Sequence, residues 1–94
     1  MRRRARIDAN QPLIVKALRE AGASVLSLSP MGGGCPDLLV GYKGRNLLME
    51  IKDPTKKPSQ RKLTDDEYVF HSGWAGNVFL VETAVEALKL LGTI

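Results

Sequence analysis

The chain has 94 residues, enough for one domain with a modest core. Its apolar share of 44% is ordinary for a soluble globular protein, and no window reaches the roughly twenty apolar residues of a membrane span. The net charge is +4, and the single cysteine, Cys35, excludes an internal disulfide, which fits a reducing cytoplasmic setting.

Arg2, Arg3, Arg4 and Arg6 make residues 1–8 a basic, flexible arm, and Ile7 to Asn10 is not the apolar core of a signal peptide. A helix is predicted over about Gln11–Ala21, with Asn10 or Asp8 as its N-cap. Leu13, Ile14, Ala17, Leu18 and Ala21 share one face of it, and Gly22 stops it. Ser24–Leu28 reads as a short strand. "SPMGGGCP" is a loop whose glycines let the backbone pass close to a site or to DNA. Asp37–Tyr42 and Asn46–Lys52 read as strands apolar enough to be covered on both sides. "DPTKKPSQRKL" reads as a polar loop. Thr64-Asp65-Asp66-Glu67 is a capping-box pattern that opens a helix to about Ser72. Asn77–Val81 is a strand, and Thr83-Ala84-Val85-Glu86 is a second capping box whose helix ends near Gly92. The order α-β-β-β-α-β-α predicts an α/β domain, a small mixed four-stranded sheet flanked by helices.

Three charges interrupt the two apolar strands: Asp37, Glu50 and Lys52. Buried charge is costly unless it is paired, solvated or bound to metal. The link Lys43-Gly44-Arg45 implies a tight hairpin. If Gly44 and Arg45 form the loop, Asp37 faces Lys52. If Lys43 and Gly44 form it, Asp37 faces Glu50. In both registers the three charges project from one face, because strand side chains alternate with period two. Neighbours there lie roughly 5–8 Å apart. Two close carboxylates repel unless a cation sits between them. Lys52 can be that cation, and so can a hard divalent metal, which prefers oxygen ligands.

Charge is uneven elsewhere too. Beyond those four arginines, ten basic residues balance ten acidic ones, yet Lys43, Arg45, Lys52, Lys56, Lys57, Arg61 and Lys62 crowd residues 43–62 against only Glu50 and Asp53. Two basic segments point to a polyanion partner, although such segments are also often simply solvated. Lys56, Lys57, Arg61 and Lys62, with Arg2, Arg3, Arg4 and Arg6, are the candidate phosphate contacts. Cys35 and His71 lack the third group that would orient a nucleophile–base pair, and no Walker loop follows Gly32-Gly33-Gly34. Core packing or a subunit contact accounts for Tyr68, Phe70 and Trp74 better than base stacking does.

Pro36-Asp37 followed thirteen residues on by Glu50-x-Lys52 resembles the PD-(D/E)XK nuclease pattern. With "GCPDLL", "LTDDE" and the element order, the chain resembles the virus-type replication-repair nuclease domain, VRR-NUC, from about Asn10 to Leu91. The resemblance implies a single nuclease domain of restriction-endonuclease-like fold. It implies Asp37 and Glu50 as ligands of Mg²⁺ or Mn²⁺ with the carbonyl of Ile51, and Lys52 as the catalytic lysine. It implies phosphodiester hydrolysis in DNA, in a bacterial or phage-infected host cell. Small stand-alone members resemble homodimeric four-way-junction resolvases; a flap- or nick-directed repair enzyme and a non-catalytic DNA-binding module are the alternatives. Many superfamily members carry an acid on the first helix where this chain has "DANQP"; Asn10 either substitutes for that acid or caps the helix, and the cap is the preferred reading. Some relatives carry glutamine where this chain has Glu67, which the capping box explains without catalysis.

Overall fold

The sheet is set by a two-residue turn. A computed structural model describes residues 7–93, so Arg2, Arg3, Arg4 and Arg6 lie outside the described residues. Strands β2 (Leu38–Tyr42) and β3 (Arg45–Ile51) are joined by Lys43 and Gly44. Both turn residues have positive φ, 49° and 78°, the backbone twist that matches an antiparallel hairpin. Tyr42 therefore faces Arg45 and Leu38 faces Met49, the register in which Asp37 stands opposite Glu50. Strand β1 (Ser24–Ser27) pairs antiparallel with β2, and β4 (Val78–Val81) runs parallel to β3. The result is the mixed sheet expected, in the order β1-β2-β3-β4.

Register divides the sheet into two faces. Leu38, Val40, Leu47, Met49, Ile51 and Val81 share one, and they are buried with Ile14 and Leu18 of α1 (Gln11–Glu20) and Ala87 and Leu91 of α4 (Ala84–Leu91). Removal of this apolar area from water is the main source of stability. The buried stripe of α1 is Gln11, Ile14 and Leu18. Leu13, expected on it, is 68% exposed, because it sits about 100° round the helix from Ile14. Gly22 ends α1 as expected: its φ is 98°, its N–H donates to Arg19 and that of Ala23 donates to Leu18.

The helix α3 (Asp65–Gly73) opens with the full capping box at Thr64 and Glu67. It buries none of its residues completely, and Tyr68 and Trp74 are exposed, Trp74 stacking on Phe70 at 5.0 Å rather than entering the core. At α4 the second capping box is half formed. Thr83 Oγ1 accepts from the Glu86 N–H, but the Glu86 carboxylate reaches one residue further back, to the Glu82 N–H at 2.7 Å. The segment expected as a loop holds a single turn, α2 (Pro58–Arg61), too short to give a periodic signal. Pro58 opens it with a preset φ and no N–H to satisfy. Among the described residues no helix is long and apolar enough to cross a membrane.

Gly44→Ala should destabilise the protein by about 1 kcal/mol through left-handed strain alone, since a Cβ there would meet no neighbouring atom within 4 Å. Lys43→Asn should stabilise it slightly, since Asn tolerates positive φ better. Urea unfolding of both variants checks the pair.

Candidate active site

Asp37 immediately precedes β2, and its carbonyl accepts the Leu28 N–H at 2.8 Å, which fixes it from the β1 side. Its partner across the hairpin, Glu50, is only 3% exposed. The two carboxyls lie in hydrogen-bonding contact. Asp37 Oδ2 also accepts the Ile51 N–H at 2.7 Å. Leu48 and Lys52 give their N–H groups to β4, so Ile51, one step out of phase, turns its N–H and its carbonyl toward Asp37. The two carboxyls thus converge beside the Ile51 backbone N–H.

Burial, the proton shared with Asp37, and the negative charges of Asp37 and Glu67 push Glu50 up to about 10. Burial also raises Asp37, against the hydrogen bonds from Glu50 and Ile51. Burial and the neighbouring negative charges thus favour a protonated Glu50 in the metal-free protein. Even so, Glu50 Oε1 is buried with no hydrogen-bond partner. Such an orphaned acceptor beside a second carboxylate fits a hard divalent cation, which takes one or two carboxylates and completes its shell with carbonyl and water oxygens. No group of three or more His, Cys, Asp or Glu side chains suited to a metal occurs among the described residues.

Lys52 is on the same face, as its spacing requires, and only 8% exposed. It does not bridge Asp37 and Glu50. Its Nζ donates to Glu67 Oε1 at 2.7 Å. Burial pulls Lys52 down, but the bond to Glu67 and the charges of Glu67, Glu50 and Asp37 outweigh it, and the side chain stays an ammonium. Glu67 is held as a carboxylate: burial is offset by Lys52 and by the Thr64 N–H, which donates to the same Oε1 at 2.9 Å. Glu67 thus both caps α3 and holds Lys52, and the capping explanation accounts for only half of it. The signal was its position, where some relatives carry glutamine.

Asn10 occupies the N-cap position of α1 but makes no side-chain cap. Its Nδ2 instead donates to the carbonyls of Lys52, 3.0 Å, and Glu82, 2.8 Å, which satisfies acceptors at the ends of β3 and β4. Asp53, also buried, accepts from the N–H and hydroxyl of Thr55, a turn that carries the chain away from Lys52. The glycine loop passes over α3: a Cβ on Gly34 would lie 2.4 Å from the Asp66 carbonyl oxygen. Cys35 borders the carboxylates, and burial and their charge raise its thiol, which leaves it a poor nucleophile. His71 is lowered by burial, and its Nε2 meets no partner.

The candidate phosphate contacts divide. Lys56 pairs with Asp8 at 3.0 Å and Arg61 with Glu82 at 3.6 Å. Lys57 and Lys62 are exposed and make no ion pair among the described residues.

No family model matches the chain, and no curated protein does. A solved structure described as a "VRR_NUC domain" shares 30% identity, covers 90% of this chain and 97% of its own, and superposes with a TM-score of 0.57. The chain belongs to the VRR-NUC family and is a nuclease of the PD-(D/E)XK type, a class that acts on DNA and generally uses divalent metal ions.

Proposed function

We propose that the protein is a structure-specific DNA endonuclease dependent on Mg²⁺ or Mn²⁺, and that its preferred substrate is the four-way junction. The observation that carries the reading is the pair of a half-buried Asp37 and a buried Glu50, with an orphaned Glu50 oxygen and an ammonium two residues on. Asp37, Glu50 and the Ile51 carbonyl would hold the metal. When bound, it supplies Lewis acidity and a water of lowered pKa. The chain's own part is positional and electrostatic. Asp37 is aimed by the Ile51 N–H. Lys52, kept charged, stabilises the negative charge that develops on the phosphate. Lys57 and Lys62, and Lys56 and Arg61 once released from Asp8 and Glu82, would bind flanking phosphates, as would Arg2, Arg3, Arg4 and Arg6. A junction needs two symmetric cuts, and a homodimer supplies two sites. Exposed Leu26, Tyr68, Val69 and Leu80 are apolar surface available to a second subunit.

Cleavage of labelled linear duplex, flap and four-way-junction DNA should require Mg²⁺ or Mn²⁺, stop with EDTA and favour the junction. Lys52→Ala should lower the rate at least about a hundredfold. Binding without cleavage under either metal would sink the nuclease role at this site, and a flap preference would replace the junction.

Glu50 has a pKa raised from 4.5 to about 10, so between those values the folded, metal-free protein holds a proton that the unfolded chain has released. Its stability therefore falls as pH rises through that window. At pH 7 the cost is on the order of 3 kcal/mol. Glu50→Gln should remove it: in EDTA the variant is more stable than wild type at pH 7 and shows a flatter pH slope in urea unfolding, while losing cleavage. Added Mn²⁺ should stabilise wild type and leave Glu50→Gln unchanged.

Replacing Lys57 and Lys62 together by Ala should weaken DNA binding uniformly across sequences. The slope of log affinity against log salt should fall by about two, which fluorescence anisotropy at several salt concentrations measures.

A further inference from the structure

We infer that Glu67 is a positioning residue for Lys52, and that the first turn of α3 serves to hold that lysine at the carboxylate pair. The inference rests on the nuclease reading only in assigning Lys52 to cleavage; the contact itself stands on geometry. Glu67 Oε1 takes two donors, the Thr64 N–H at 2.9 Å and Lys52 Nζ at 2.7 Å. A residue needed only as a cap would leave its carboxylate otherwise solvated. Here the side chains of Lys52 and Glu67 are 11% and 18% exposed, so the pair is sheltered and ordered. The turn that carries Glu67 is fixed from two sides. The Thr64 backbone N–H holds the Glu67 carboxylate from within the turn, whatever side chain Thr64 carries. Gly34 lies so close to the Asp66 carbonyl that no side chain would fit between them. That glycine stands three residues before Asp37, so the loop that delivers the first carboxylate also backs the turn that holds the lysine. α3 adds no fully buried residue to the core, which leaves this contact as its main tie to β3.

The test compares Glu67→Ala, Glu67→Gln and Thr64→Ala with wild type. It measures junction-cleavage kinetics in Mn²⁺, thermal unfolding, and the mobility of the Lys52 side chain by ¹³Cε NMR relaxation. Glu67→Ala should lower kcat about 10- to 100-fold with KM changed less than about threefold, and should loosen Lys52. Glu67→Gln, whose amide oxygen accepts the same two donors, should recover most of the rate and the order of Lys52. Thr64→Ala, which weakens the cap but spares the Lys52 contact, should lower thermal stability and leave kcat nearly unchanged. Overturning results are a Glu67→Ala rate within threefold of wild type, a Gln variant no better than Ala, Thr64→Ala losing as much rate as Glu67→Ala, or Lys52 equally ordered with and without Glu67. If wild type cuts no DNA, the nuclease reading fails, and the NMR comparison alone still decides whether Glu67 holds Lys52.

Discussion

Two carboxyls forced together in a dry strand pair are the constraint around which the rest is arranged. The turn at Lys43 and Gly44 sets the register, and the register puts Asp37 opposite Glu50. Glu50 is shut off from bulk water, because β3 is buried from Leu47 onward, and Asp37 is half-buried beside it. Each neighbouring feature answers to that pair. The Ile51 N–H aims Asp37, a proton sits on Glu50, and Lys52 is drawn off toward Glu67. A one-residue slip of β3 would turn Glu50 and Lys52 into the core and expose Met49 and Ile51 in their place. The register that makes the core is therefore the register that makes the site.

The two faces of the sheet divide the work. α1 and α4 cover one face with Ile14, Leu18, Ala87 and Leu91, and most of the stability comes from there. α3 serves the other side without filling a core, and its contribution is Glu67. Asn10 connects the two jobs: from the start of α1 it holds the carbonyls of Lys52 and Glu82, so the helix that packs the core also fastens the far end of the strand that carries the site. Marginal packing around α3 is consistent with a site where stability is given up for function.

Most elements were legible because their signals are local: the Gly22 stop, the Thr64 capping box and the two apolar strands with their interrupting charges. Spacing alone placed Asp37, Glu50 and Lys52 on one face, but it left the register open. The choice fell to a lysine with positive φ, which sequence rules do not assign to Lys. Arg45 belongs to β3, where its guanidinium reaches the Leu91 carbonyl at the end of α4, a bond across 46 residues that no local pattern reveals. Asn10 and Glu67 were only partly legible, for one reason. Both sit at helix starts, where a capping explanation is complete in itself, and both make their decisive bonds to β3, distant in the chain.

The charge balance of the site follows from where Lys52 goes. With Glu67 and Lys52 cancelling, Asp37 and Glu50 have no cation of their own. In the metal-free protein Glu50 holds a proton; on the proposed reading a divalent cation takes its place. By pairing with Lys52, Glu67 keeps that lysine from neutralising the carboxyls and leaves them short of positive charge, a deficit a divalent ion can fill.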